Sequence, residues 1–148
     1  MPALVLLALL VVVLAGKYGS GGFMVVTAWP TDRIKRIAEA IARAEGYYVI
    51  GSIPRQYNNP GNLKPVGLNS VGAAGIRRFD TPEAGWNALY KQVDLMLTNR
   101  SSVYTSEMSI GEVAAHYVGM NDPDAVNWAR NVATFLGVDV STRLEEIV

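Results

Sequence analysis

The spacing of apolar residues is helical along most of the chain, with one long stretch that lacks it. In "PTDRIKRIAEAIARAEG", residues 30–46, apolar side chains recur at the three- and four-residue intervals of an amphipathic helix. Thr31 or Asp32 can cap the start of this helix, and Gly46 can end it. The pattern therefore predicts one helix at the beginning of a folded domain.

Three further helices are predicted in the second half of the chain. "DTPEAGWNALYKQVDLMLTNR" begins with Thr81 and Pro82, a capping residue followed by a proline in the first turn. "SIGEVAAHYVG" begins with a capping box formed by Ser109 and Glu112. "DPDAVNWARNVATFLG" begins at Asp122, and a last short turn or helix, "STRLEEIV", follows it. The apolar positions predicted to face the core in the first and third of these helices are Trp86, Leu89, Val93 and Met96, then Val126, Ala129, Ala133 and Leu136.

The stretch without helical spacing, residues 46–79, is rich in Gly, Pro, Asn and Ser. Its short apolar pieces, such as "YYVI" and "GIRRF", predict loops with one small irregular sheet. Irregular segments of this kind often carry a functional site on a rigid scaffold. The predicted fold class is α+β and mainly helical, with the small β region directly after the first helix.

The N-terminus has a different composition from the rest of the chain. Residues 3–15, "ALVLLALLVVVLA", have no polar side chain, and a glycine-rich joint, "GKYGSGG", follows at residues 16–22. We therefore divide the chain into an apolar anchor-like or signal-like segment, residues 1–28, and a domain, residues 29–148. As a helix the apolar run would be about 20 Å long, short of the roughly 30 Å hydrocarbon layer of a membrane. Three interpretations stay open: a signal peptide, an uncleaved membrane anchor, and a buried element of the domain.

Composition narrows the classes of function. With 13 basic and 13 acidic residues the formal charge is balanced, so we expect no nucleic acid as partner and favour a neutral partner such as a glycan. The chain has no cysteine, which excludes thiol nucleophiles and disulfides. Its one histidine is His116, and we expect neither a metal nor a cofactor.

Glu45 occupies an unusual position on the first helix. On a helical wheel of about 100° per residue it lies within about 20° of Ile34, in the middle of the apolar stripe, whereas Glu39 and Arg43 lie on the opposite side. Burial raises the pKa of a carboxyl group, which is the condition for a glutamic acid that donates a proton near neutral pH. A carboxylate at a helix C-terminus is also destabilised by the negative end of the helix dipole, so helix stability does not explain a glutamate at this position. The alternative is a last-turn glutamate that leaves the stripe and meets solvent.

A second carboxylate is missing nearby. Residues 47–79 contain no Asp or Glu, and helix capping already explains Asp80 and Glu83. Glycoside hydrolysis generally uses two carboxylates, so a single acid favours a reaction in which one residue acts first as acid and then as base. Tyr48 and Tyr57, together with a run of amides, indicate a site that binds a sugar chain by stacking and neutral hydrogen bonds.

The phrases "AEGY", "NNPGNL", "RFDTPEAGWNAL", "HYVG" and "NWARNVATFLGV", in this order, resemble the lysozyme-like, lytic-transglycosylase-type muramidases of phages and bacterial prophages. The resemblance covers residues 31–147. It implies a lysozyme-like fold in which the catalytic glutamate ends a helix beside a small β region, while later helices close the cleft. It also implies cleavage of the β-1,4 bond between N-acetylmuramic acid and N-acetylglucosamine in peptidoglycan.

For individual residues, the resemblance implies that Glu45 is the general acid and base. "PGNL" resembles the glycine-containing segment of the cleft wall, which makes Asn59 and Asn62 candidate sugar contacts, and "AAHYVG" puts Tyr117 in the place of the family's tyrosine. The spacing alone also fits a core position for Tyr117 and a plain turn for "NNPGN". Trp86 and Trp128 are expected to pack between helices.

The missing second acid favours a 1,6-anhydro product over hydrolysis. A non-catalytic module of the same fold, which binds glycan or organises a virion, is the main alternative, and a membrane-disrupting apolar N-terminus carried by the domain is another. Lys17 and Arg33 follow the apolar run, so the positive-inside rule keeps the domain in the cytoplasm. That topology fits a virion component better than an exported enzyme. The expected partners are peptidoglycan strands, a membrane through residues 3–15, and other virion proteins.

Overall fold

A computed structural model describes residues 28–64 and 75–148, and within these ranges the chain is mainly helical, as predicted. Five α-helices, named α1 to α5 in chain order, span Asp32–Ala44, Ile53–Gln56, Pro82–Leu97, Ile110–Tyr117 and Pro123–Leu136, and a short 3₁₀ helix spans Leu144–Glu146. The predicted apolar segment lies outside the described residues. Among the residues that are described, no helix has the length and apolar character needed to cross a membrane.

Local capping interactions set the ends of the helices where the sequence predicted them. The side chain of Thr31 accepts a hydrogen bond from the N–H of Ile34 at the start of α1. At the start of α4, Ser109 and Glu112 form the predicted capping box, with each side chain bonded to the backbone N–H of the other residue. Asp122 caps α5. These interactions satisfy backbone N–H groups that the first turn of a helix leaves unpaired.

The core lies between α1, α3, α4 and α5. Helix α1 packs against α3 and α5, and α5 packs against α4. The predicted core face of α3 is confirmed for Leu89, Val93 and Met96, which are fully buried, while Trp86 is partly buried. The predicted face of α5 is wrong at Val126, whose side chain is 62% exposed. The buried residues of α5 are Trp128, Ala129, Val132, Ala133 and Leu136. The centre of this group lies about 90° around the helix from Val126.

The prediction of a small β region after α1 is wrong for residues 46–64 and 75–79, in which Arg77 is an isolated β-bridge residue and no strand is present. The chain forms turns there and the short helix α2, whose start is capped by Ser52 and followed by Pro54 in the first turn. Val49 and Ile50, from the predicted strand "YYVI", are 61% and 88% exposed. Apolar residues in a turn that packs against nothing give the same sequence pattern as a short buried strand.

Candidate active site

Glu45 is the C-terminal cap of α1. The N–H of Tyr47 donates to the carbonyl of Ala42, and the N–H of Gly46 donates to the carbonyl of Arg43. These two hydrogen bonds form a Schellman motif, with Gly46 in the left-handed region at a φ of 75°. A glycine adopts this conformation without strain. The helix therefore ends at Glu45. The side chain of Glu45 lies on the same side of α1 as the residues that face the core.

Glu45 lines a cleft of about 400 Å³. Among the described residues, the walls come from five separate parts of the chain: the end of α1, the turn after α2, Ile76, the end of α4, and the first half of α5. The polar and aromatic residues that line it are Glu45, Asn62, Lys64, Tyr117, Asp124, Asn127 and Trp128. A cleft of this volume lies in the range of small-molecule and oligosaccharide binding sites, about 300–1,000 Å³.

Two opposing effects act on the carboxyl group of Glu45. Burial raises its pKa, because the charged form is desolvated. Hydrogen bonds from the side chains of Trp128 and Asn62 act against this and lower the pKa. The net result is a pKa above the ordinary value of a glutamic acid. The indole N–H of Trp128 donates to Oε1 of Glu45 over 2.7 Å.

Tyr117 forms the wall next to Trp128. Its ring stacks on the indole of Trp128, with ring centres 5.1 Å apart and planes inclined by 27°. Its hydroxyl donates to the carbonyl of Gly61 over 2.5 Å. Burial and the nearby charges of Glu45 and Tyr104 raise the pKa of Tyr117 well above its ordinary value. The hydroxyl of Tyr117 therefore keeps its proton at neutral pH.

Asn59 does not face the cleft, contrary to the expectation that it contacts sugar. Its side chain is fully buried. The amide nitrogen donates to the carbonyls of Leu63, over 2.9 Å, and Arg77, over 2.8 Å. The amide oxygen accepts from the N–H of Leu63 over 2.8 Å. All three hydrogen bonds fix the backbone of the turn. Asn59 therefore supports the turn from the protein interior and does not line the cleft.

The turn that contains Asn59 is packed tightly against two helices. A Cβ atom on Gly61 would lie 2.7 Å from the side chain of Leu89 on α3 and 3.0 Å from the hydroxyl of Tyr117. On the other side, Gly85 of α3 lies against the backbone carbonyl of Asn58. Both glycines are needed because a side chain at either position would push the turn away from the helices. The turn therefore has a fixed position relative to Glu45.

Asn62 is the asparagine of this turn that does line the cleft. Its backbone has a φ of 50°, in the left-handed region that asparagine tolerates better than most residues. Its side chain hydrogen-bonds to the carboxyl group of Glu45. Within the described part of the chain, its buried Oδ1 has no hydrogen-bond partner. A ligand hydroxyl in the cleft could donate to this oxygen.

Tyr48 and Tyr57 lie outside the cleft. The hydroxyl of Tyr48 donates to Glu39 over 2.8 Å on the outer face of α1, and its ring lies under the guanidinium of Arg43. Burial and the bond to Glu39 raise the pKa of Tyr48 to about 12. The ring of Tyr57 lies beside the guanidinium of Arg78. Glu45, Asn62 and Tyr117 are thus the three predicted site residues that the structure brings together.

Trp128 and Asp124 line the cleft but were not predicted as site residues. Trp128 was expected to pack between helices, and it does so, at 5% exposure, but its N–H also points at Glu45. Asp124 is exposed in the first turn of α5 and adds a second carboxylate to the cleft. A search for acids in residues 47–79 could not find it, because α5 follows much later in the chain. Asp80 and Glu83 are exposed at the start of α3 and do not line the cleft.

The carboxyl group of Glu45 lies where it could exchange a proton with a polar, uncharged ligand bound in the cleft. Across residues 28–64 and 75–148, His, Asp and Glu side chains form no group of three that could hold a metal ion. Comparison with protein-family models, curated proteins and solved structures finds no match to the chain. What the protein does is therefore inferred from its own residues and their geometry.

Proposed function

We propose that this protein is a lytic transglycosylase that degrades peptidoglycan by cleaving the β-1,4 bond between N-acetylmuramic acid and N-acetylglucosamine. The observation that carries the proposal is Glu45. It is a half-buried carboxyl group with a raised pKa, oriented by Trp128 in a cleft of about 400 Å³. A raised pKa favours the protonated form of the carboxyl group, and protonation of a glycosidic oxygen requires a carboxyl group in that form.

The cleft walls support a sugar ligand. Tyr117, which is only partly buried, supplies aromatic surface against which the apolar face of a pyranose ring can pack. Asn62 and Asn127 supply amides, which donate to and accept from neutral hydroxyl and acetamido groups. Lys64 adds one cation, which suits a glycan strand with carboxylates on its lactyl or peptide substituents.

The proposed mechanism uses Glu45 twice. Protonated Glu45 donates its proton to the glycosidic oxygen, the bond to the anomeric carbon of the muramyl residue breaks, and N-acetylglucosamine leaves as the alcohol. The resulting carboxylate then accepts the proton of the muramyl 6-hydroxyl, whose oxygen bonds to the anomeric carbon. The product is a 1,6-anhydro sugar, and Glu45 is protonated again.

A lysozyme-like fold and an envelope location are part of this proposal. An acid at the end of a helix, faced by a turn and enclosed by later helices, supports this fold, although the described residues do not form the small β region that the sequence resemblance implies. We propose that the protein acts at the bacterial cell envelope as a membrane-associated component of a virion that helps it to penetrate the wall. Peptidoglycan strands are then its substrate, with a membrane and other virion proteins as further partners.

Digestion of purified sacculi, with mass spectrometry of the released muropeptides, tests the proposal. Wild-type protein is expected to release fragments with anhydro ends. Glu45→Gln keeps the size of the side chain and an oxygen for the bond from Trp128 but removes the acid, so release is expected to fall roughly 10²–10⁴-fold. Glu83→Gln, on the exposed start of α3, is the matched control and should release as much as wild type.

Two results would contradict the proposal in different ways. Equal release by wild type and Glu45→Gln, or no release by either, would rule out the enzyme and leave a glycan-binding or structural module. Reducing ends, lost in Asp124→Asn, would show instead a hydrolase in which Asp124 activates water.

A further inference from the structure

We propose that Trp128 is a positioning residue for the acid: its indole N–H keeps Oε1 of Glu45 as an acceptor, so that the transferable proton is carried by Oε2. This inference rests on the proposed function and deepens it, because it says which oxygen meets the glycosidic bond.

The chemistry of the two groups decides the position of the proton. The indole N–H donates and has no lone pair with which to accept, so the oxygen that it contacts must accept in both ionisation states of Glu45. In a protonated carboxyl group, the carbonyl oxygen is the stronger acceptor and the other oxygen carries the hydrogen. With Trp128 at 2.7 Å from Oε1, the hydrogen is therefore placed on Oε2.

The direction of the N–H is set by packing. Trp128 is 5% exposed, and its ring is stacked on Tyr117. Tyr117 is in turn bonded through its hydroxyl to Gly61, in the turn that faces Glu45. Rotation of the indole away from Glu45 would break the stacking and open the core between α4 and α5. The fold thus holds the donor ready before any ligand arrives, which removes reorganisation from the reaction itself.

The same hydrogen bond serves the second half of the reaction. A bond from a neutral N–H is stronger to a carboxylate than to a carboxylic acid. Trp128 therefore stabilises Glu45 after it has lost its proton, in a site where burial alone would make the anion costly. Without this donor the acid would be harder to ionise, and transfer of its proton to the glycosidic oxygen would be slower.

The first test is kinetic and uses Trp128→Phe, which removes the N–H and keeps an aromatic ring against Tyr117. With the acid no longer oriented, kcat is expected to fall roughly tenfold to a hundredfold while KM stays nearly unchanged. The alkaline limb of kcat/KM is expected to move to higher pH, because a bond that favours the carboxylate is gone.

Trp86→Phe is the matched control. Trp86 is a partly buried tryptophan, and it lies against Tyr47 and Tyr90, at ring distances of 5.6 and 5.7 Å, outside the cleft. This variant should keep the kcat and the pH profile of the wild type. If Trp128→Phe behaves in the same way as Trp86→Phe, Trp128 is not a positioning residue and the inference is overturned.

The second test needs no turnover. The chain has three tryptophans, so the indole N–H resonance of Trp128 can be assigned in a nitrogen-15 spectrum of the full chain by its loss in Trp128→Phe. This resonance should shift with pH as Glu45 ionises, and the shift should be absent in Glu45→Gln. A resonance that ignores pH, or that shifts equally in Glu45→Gln, would overturn the inference even in an active enzyme. A shift in a protein that releases nothing from sacculi would support the pairing with Oε1 and refute the proposed reaction.

Discussion

Replacement of Asn59 separates a structural role from a sugar-binding one. Asn59→Ala removes three hydrogen bonds of 2.8–2.9 Å and leaves the N–H and carbonyl of Leu63 and the carbonyl of Arg77 without these partners. A net hydrogen bond contributes about 1 kcal/mol, and a buried backbone group left unpaired costs about 1–3 kcal/mol. With water entering part of the opened space, we expect the free energy of unfolding to fall by about 3–5 kcal/mol.

Urea unfolding followed by tryptophan fluorescence measures this loss. Asn131→Ala is the control, because Asn131 is exposed on α5, and it should change stability by less than about 0.5 kcal/mol. Asn59→Asp is a sharper variant of the same size: its carboxylate would face two carbonyl oxygens, so it should lose at least as much stability. A stable Asn59→Ala protein with a raised KM for glycan would refute the structural role and restore the sugar contact.

Two further predictions concern Glu45 and Gly85. Because burial raises the pKa of Glu45, the contribution of this residue to stability is greatest below the unfolded-state pKa and falls as the pH rises through the folded-state pKa. Glu45→Gln lacks this loss, so its stability relative to wild type should increase in urea titrations as the pH rises above about 4, and a constant difference would contradict the burial argument. Gly85→Ala puts a Cβ against the backbone carbonyl of Asn58 and should lower the free energy of unfolding by about 2–3 kcal/mol. Gly111→Ala puts a Cβ 3.7 Å from the carbonyl oxygen of Val140 and should change stability by no more than about 1 kcal/mol, so equal stability of the two variants would refute the close packing at Gly85.

The helices could be predicted from the sequence because their ends are determined by neighbouring residues. Thr31 and Gly46 bound α1, and Ser109 with Glu112 starts α4, through interactions that span three or four positions. The periodic burial of α3 is likewise a local pattern. The prediction failed at Val126, because an apolar residue near the edge of a helix face is buried only if a neighbouring element covers it, and that depends on the tertiary fold.

The candidate site could be predicted only in part. Glu45 could be predicted because it is a charged residue on the apolar face of a helical wheel, and this pattern can be recognised within a single helix. The hydrogen-bond partner of Glu45 cannot be predicted from a single helix, because Trp128 is 83 residues away in the sequence. A tryptophan at such a position is expected simply to pack in the core. Asn59 and Asn62 lie in the same turn, yet one is directed into the protein and the other into the cleft. Sequence spacing does not distinguish these directions in an irregular turn.

The length of α1 has a consequence for how this site can change. Both ends of the helix are specified, by Thr31 and by the Schellman motif at Gly46, and the 13 residues of α1 determine the angle at which Glu45 leaves the helix. An insertion or deletion of one residue inside α1 would preserve both caps but rotate the carboxyl group by about 100°. The length of α1 thus determines whether Glu45 reaches the indole N–H of Trp128. Substitutions along the solvent face of α1 leave this contact intact, whereas a change of helix length by a single residue does not.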